Sequence, residues 1–258
     1  RVQKQKQKTM LELYHMSTCP SCRSVRLLAK DIGAEFQLKE IVTFKGEHLT
    51  PEYLKVGPIH IYFEQEHPNL TVNINPQHTI PTLAEGDCRA ILRYLIGKFG
   101  PDSQLYPKDL KARAMVDHRL DFDIGTLRSR FGQLMTPVLY KGAKSMDPEK
   151  KKSFEEALQW LDSFIESSGG CCAADHLTIA DYPIFTLLDN VKVPSQWNTP
   201  ATLRVELIDT LAMEVVDLSA FENIVKWMKK CRAEMKGYEE IEEKLLPEIK
   251  ERFLSKLG

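Results

Sequence analysis

The chain has 258 residues, 43% hydrophobic and 28% charged, enough to bury one large core or two moderate ones. A net charge of -1 lacks the basic footprint of a nucleic-acid binder, and no apolar run is long enough to span a bilayer. Neither nucleic acid nor membrane is therefore an expected partner. The six cysteines, at 19, 22, 88, 171, 172 and 231, are too scattered for a disulfide scaffold and point to a reducing, cytoplasmic setting. One C-x-x-C without a second pair or spaced histidines does not make a zinc site, so no metal is expected.

Residues 1–9 are basic and read as a disordered leader. Leu11, Leu13 and His15 then alternate with Glu12 and Tyr14, the period of a short strand. Cys19-Pro20-Ser21-Cys22 follows, and behind it Val25, Leu28, Ala29 and Ile32 recur at helical spacing up to Gly33. Pro20 suits the first helical position, where its missing N–H costs nothing. A cysteine at such a strand-to-helix turn faces unpaired N–H groups and the positive end of the helix dipole, both of which favour a thiolate at Cys19. Phe36 to Val42 reads as a second strand, giving a βαβ unit with a parallel pair.

Gly46 to Leu54 reads as a loop entering a short helix, and residues 56–74 as an extra hairpin or apolar loop. In Asn75-Pro76-Gln77-His78-Thr79-Ile80-Pro81-Thr82-Leu83, a proline just ahead of a short apolar strand is a candidate cis bond exposing backbone groups to a ligand. A helix begins near Asp87, with Ala90, Ile91, Tyr94 and Leu95 as its inner face, and Gly100-Pro101 ends it. The rest reads as all helical. Met115, Leu120, Ile124 and Leu127 are its expected first core positions, and Pro137 interrupts that pattern. Asp147-Pro148-Glu149 opens a helix with the stripe Phe154, Leu158, Leu161, Ile165. Thr178-Ile179-Ala180-Asp181 is a capping box ahead of Phe185, Leu187 and Leu188. Residues 191–217 are irregular, and Ile224, Val225 and Met228 mark a later helix. The predicted domains are 10–100 and 108–258, with the linker between them.

With these pieces in order, the sequence resembles a cytosolic glutathione S-transferase, closest to the insect delta and epsilon classes. The residues that carry the likeness are Cys22-Arg23-Ser24-Val25, Gly46-Glu47-His48-Leu49, Asn75 to Leu83, Arg89 to Leu95, Leu105-Tyr106-Pro107-Lys108, Arg119 to Leu127, and Leu177 to Asp181. The resemblance implies an α/β thioredoxin-like N-terminal domain followed by an all-α C-terminal domain, as a homodimer, using glutathione as co-substrate. It implies attack of the glutathione thiolate on a small hydrophobic electrophile, in a pocket built partly by Leu127–Tyr140, where Arg128, Phe131, Leu134, Met135 and Tyr140 fall. It places His48 and His78 near the glycine end of glutathione. Thr79, Ile80 and Pro81 come beside its cysteinyl part, and Asp87, Cys88 and Arg89 at its γ-glutamyl group, where a helix N-terminus suits a carboxylate.

The chain departs from that family pattern at three places. Cys19 stands where delta and epsilon members carry the serine that meets the glutathione thiol, a change that resembles the omega class and the glutaredoxins. The strand that precedes Asp87 in the family is missing, with only Ala84-Glu85-Gly86 between Leu83 and Asp87, and two insertions lie near 56–74 and 191–217. Three functions follow as expectations. One is conjugation of glutathione to electrophiles, and another is glutathione-dependent thiol–disulfide exchange with Cys19 as nucleophile and Cys22 as resolving thiol. The third is a non-catalytic protein that keeps the fold.

Overall fold

The computed structural model describes residues 11–50, 88–141, 143, 145–191 and 216–245. Strand β1 (Leu11–His15) buries Leu13 and His15 and turns Glu12 to solvent, as its alternation requires. It pairs in parallel with β2 (Phe36–Glu40), Leu11 opposite Phe36 and His15 opposite Glu40. Between them runs α1 (Pro20–Ile32) with Cys19 at its N-cap and Pro20 at its first position. Gly33 ends the helix at φ 68°, a left-handed conformation that costs glycine nothing, and its N–H caps the Ala29 carbonyl. Two 3-10 turns, Thr43–Lys45 and Glu47–Leu49, follow β2.

Helix α2 (Cys88–Phe99) packs on α1. Helix α3 (Leu110–Phe122) is capped by the Asp109 carboxylate, which accepts from Ala112 N at 2.8 Å. A π-helical turn at Asp123–Leu127 joins it to α4 (Arg128–Lys141). Helix α5 (Pro148–Ser167) has Asp147 as N-cap, and α6 (Asp181–Val191) lies against α1. Helices α7 (Glu222–Glu234) and α8 (Tyr238–Ile241) follow, and α8 reaches back to α1. One apolar cluster runs without a break from Leu13, Val25 and Leu28 through Leu95, Leu120 and Leu158 to Phe185 and Trp227. Burying such side chains is worth roughly 1.5–3 kcal/mol each and is the main force holding α1 between the sheet and the helices.

Most predicted core positions lie where the periodicity places them: Val25, Leu28, Phe154, Leu158, Leu161, Ile165, Phe185, Leu187, Leu188, Ile224 and Met228 are all buried. Some do not. Met115 and Ile124 are 39% and 44% exposed, because the inward phase of α3 runs Val116, Leu120 and then Asp123 and Leu127. On α2, Ala90 and Tyr94 are only half-buried, while Leu92 and Ile96 complete the inner face with Ile91 and Leu95. Pro137 does not end its helix: α4 continues to Lys141, with the proline near its C-terminal end.

The capping box is present and larger than predicted. The Asp181 carboxylate accepts from Thr178 N at 2.7 Å and Thr178 Oγ1 at 2.9 Å. It also accepts from Cys172 N at 2.9 Å and Trp227 Nε1 at 2.7 Å, tying α6 to the preceding loop and to α7. The expected leader 1–9, the insertion 56–74, most of the insertion 191–217, the candidate cis bond at Pro81 and the missing strand before Asp87 lie outside the described residues.

Candidate functional site

The site forms where β1 hands over to α1. His15 is the last residue of β1, and Met16, Ser17 and Thr18 bridge to Cys19. Cys19 N–H donates to Met16 O at 3.0 Å, and Cys19 O accepts from Arg23 N at 3.0 Å, the first bond of α1. Two serine hydroxyls nearby are already engaged. Ser17 Oγ and Ser17 N donate to Glu40 Oε1 at 2.9 and 3.0 Å, and Ser24 Oγ donates to Ser21 O at 2.8 Å. Glu40 also faces His15 Nε2 at 3.4 Å, and burial of that imidazole lowers its pKa. The loop is thereby fixed to β2, leaving Cys19 half-buried at the helix start.

The remaining cysteines are buried, and none of the six is in a disulfide. The Cys19 thiol is lowered to about 6. The largest cause is a hydrogen bond from the Cys22 thiol, opposed by desolvation and reinforced by the Cys22 backbone and by the charges of Arg23 and Arg128. Cys22 moves the other way: burial and the neighbouring Cys19 sulfur hold its thiol well above the ordinary range. Cys22 Sγ in turn accepts from Met16 N at 3.5 Å. The arrangement suits a nucleophile–donor pair, with the outer thiol lowered toward neutral pH and the inner one raised so that it keeps its proton.

Arg23 is the second element of the site. Its side chain is wholly buried, with Nε on both oxygens of Glu242 at 2.8 and 2.9 Å. Nη1 donates to Thr18 O at 2.7 Å and Nη2 to Thr186 O at 3.3 Å. The third element comes from α2. Arg89 is 5% exposed and pairs with the buried Asp123 at the start of the π-helical turn. Arg128 follows that turn on α4, with Nε 3.9 Å from Asp123 Oδ1 and Nη2 donating to Pro183 O at 3.2 Å. An interrupted helix re-aims its side chains, and this one brings Asp123 to Arg89 and Arg128 toward Cys19.

Of the predicted site residues, Cys19, Cys88 and Arg89 lie in described elements around α1. Cys88 opens α2 but is 2% exposed, packed toward Cys22 in the core. The backbone of His48 is in the Glu47–Leu49 turn, while its side chain, together with His78, Thr79, Ile80, Pro81 and Asp87, lies outside the described residues. Among the residues expected to line an electrophile pocket, Leu134 and Met135 are core side chains and Phe131 stacks near Phe154. Sequence reasoning missed Asp123, Glu242 and Glu40. Asp123 left a signal, a carboxylate on the inward phase of Val116, Leu120 and Leu127, whereas Glu242 sits in a charged stretch that looks solvated throughout. Among the described residues no group of histidine, cysteine or carboxylate side chains could hold a metal ion, and no helix is long and apolar enough to cross a membrane.

No protein-family model matches the chain. The glutathione S-transferase D7 of Anopheles gambiae is 34% identical to it over 252 residues, 95% of this chain and 97% of that protein. Among solved structures, a delta-class glutathione transferase of Nilaparvata lugens superposes with a TM-score of 0.74 at 33% identity, covering 96% of this chain and all of that one (100%). A glutathione transferase of Bombyx mori gives 0.74 at 31% identity, covering 95% and 98%. The fold is accordingly the α/β thioredoxin-like unit followed by helices that the sequence predicts. With identity of this level running from end to end, the chain belongs to the glutathione S-transferase family.

Proposed function

We propose that this enzyme conjugates glutathione to small hydrophobic electrophiles, with Cys19 as the residue that meets the glutathione thiol. The observation that carries the proposal is a half-buried sulfur at the start of α1, lowered to about 6, in a chain that follows glutathione transferases over 95% of its length. Serine at this position would donate its hydroxyl proton to a glutathione thiolate. An ionised Cys19 and the thiol of the incoming glutathione share one proton, and when that proton lies on Cys19 its S–H donates to the glutathione thiolate. That thiolate attacks the electrophilic carbon and expels the leaving group. Asp87, Cys88 and Arg89 would serve the γ-glutamyl group, Arg89 with Asp123 behind it; buried Cys88 would act only through the backbone. His48, His78, Thr79, Ile80 and Pro81 would hold the rest of the tripeptide.

In this reading residues 10–100 form the glutathione half and 108–258 the electrophile half. The exposed Leu110 and Met115 on α3, 79% and 39% accessible, suit a homodimer contact, and six cysteines outside any disulfide suit the cytoplasm.

The lowered Cys19 thiol beside a Cys22 thiol held in its protonated form supports a second reaction, thiol–disulfide exchange. The Cys19 thiolate attacks the glutathione sulfur of a mixed disulfide R–S–SG, forming Cys19–SG and expelling R–S⁻. A second glutathione thiolate attacks the bound glutathione sulfur, releasing glutathione disulfide and restoring the Cys19 thiolate. Two assays on the purified protein decide between the reactions: conjugation of a chloronitrobenzene and reduction of a small glutathione mixed disulfide. Cys19→Ser should keep or raise conjugation and abolish disulfide reduction. If both rates survive Cys19→Ser unchanged, Cys19 is not the reacting residue.

A further inference from the structure

Arg23 is a fully buried cation at the site, and the carboxylate bonded to it comes from the far end of the chain. Glu242 ends α8, is 1% exposed, and holds Arg23 Nε with both oxygens across 219 residues of sequence. The remaining arms of the same guanidinium hold Thr18 O, immediately before Cys19, and Thr186 O on α6. One cation is thus shared between the segment that presents the sulfur and a carboxylate on the C-terminal helices.

We propose that Glu242 is a positioning residue for the candidate nucleophile: acting through Arg23, it governs how much positive charge reaches the Cys19 sulfur. The inference rests on the reading of Cys19 as the reacting thiol. Its physical basis is that an ion pair in a dry interior presents less net charge to a third group than the bare cation does. With Glu242 ionised, Arg23 is largely neutralised; with Glu242 neutral, the full guanidinium charge faces the Thr18–Cys19 segment and stabilises the thiolate further. The carboxyl is poised for that change, since burial first and the Asp189 charge second raise it to about 7 against the pull of Arg23. The other groups around it are Asp189 on α6, paired with Arg232 on α7 at 2.7 Å, Arg26 on α1 and Tyr238 on α8. On the Cys19 side the groups are Cys22, Arg23 and Arg128.

The test is the pH dependence of Cys19 alkylation by iodoacetamide in the full-length protein. Glu242→Gln keeps an acceptor oxygen for Arg23 Nε and removes the charge. At the Cys19 midpoint near 6 a carboxyl at about 7 is already mostly neutral, so the effect is read on the plateau above about pH 8, where Glu242 is ionised in the native protein. There the Glu242→Gln thiolate, about half a unit less basic, should alkylate about 1.7-fold more slowly than the native one. Glu242→Asp keeps the charge and should return the plateau to the native value. A purely structural Glu242 would lower thermal stability in the variants and leave the plateau in place; an unchanged or raised plateau in Glu242→Gln overturns the proposal. If that variant does not fold, the native protein still decides it. Titration of Glu242 should give the alkylation profile a second inflection near 7, and a single sigmoid overturns the proposal. Turnover of Cys19→Ser tests the catalytic reading separately, because alkylation needs only a reachable sulfur.

Discussion

Native alkylation of Cys19 provides a quantitative test of the site. The other five cysteines are buried, so iodoacetamide should label the folded chain once, at Cys19. Lowering the thiol from 9.0 to about 6 raises the thiolate fraction at pH 7 from about one per cent to about nine-tenths. A less basic thiolate is also a weaker nucleophile: with a Brønsted slope of roughly 0.4–0.5, the same drop costs about twentyfold in intrinsic rate. The net advantage over an ordinary thiol is therefore only about fourfold at pH 7, growing to about twentyfold at pH 6. The pH profile is thus more diagnostic than the absolute rate. Cys22→Ala removes the donor that contributes most to the lowered value and should move the midpoint upward, while Cys22→Ser keeps a donor and should not. A native midpoint at or above 8, or rapid labelling of a second cysteine, would refute the assignment of Cys22 as proton donor to a Cys19 thiolate.

Asp181→Ala should destabilise the fold by about 3–5 kcal/mol, since it strips four hydrogen bonds from one fully buried carboxylate and leaves their donors unpaired. Urea unfolding measures the loss, and a change under about 1 kcal/mol would mean that water replaces the carboxylate. Trp227→Phe removes a single donor from the same oxygen set and should cost about 1–3 kcal/mol by the same assay.

The parts of the fold that were legible are those whose pattern is local. Alternation marked β1, Pro20 and Gly33 marked the two ends of α1, and Thr178 to Asp181 marked the cap of α6. Phase failed by one position: the inward row is Val116, Leu120, Asp123 and Leu127, so Met115 and Ile124 point out while the carboxylate of Asp123 is buried where an apolar side chain was expected. Cys19 was legible because its place at a helix start is written in consecutive residues. Its electrostatic surroundings were not. Arg23, Arg128 and Glu242 come from α1, α4 and the end of α8, and nothing in the charged stretch from Glu239 distinguishes a buried carboxylate from the solvated ones beside it. Asp181 shows the same limit, because its bond to Thr178 is a sequence motif and its bond to Trp227 is tertiary.

If Cys19 meets the glutathione thiol as proposed, a cysteine in place of a serine changes the proton balance of glutathione binding, and this gives the last prediction. Two sulfurs that share one polar site cannot both ionise cheaply, because like charges in close contact raise the free energy of the doubly charged state. Free Cys19, lowered to about 6, already carries a negative charge at pH 7.5. In the proposed mechanism glutathione enters with its thiol protonated, and that proton is shared with Cys19 and stays in the site, so one negative charge is held between two sulfurs and none is released to solvent. In Cys19→Ser the hydroxyl is neutral throughout, and a glutathione thiolate forms only if its proton leaves. Calorimetric titration with glutathione at pH 7.5, in two buffers of different ionisation enthalpy, reads the difference directly. The native protein should release close to no protons, and Cys19→Ser a substantial fraction of one. Equal release by the two proteins would show that Cys19 is not ionised in the free enzyme, and the proton transfer from glutathione to Cys19 would fall with it.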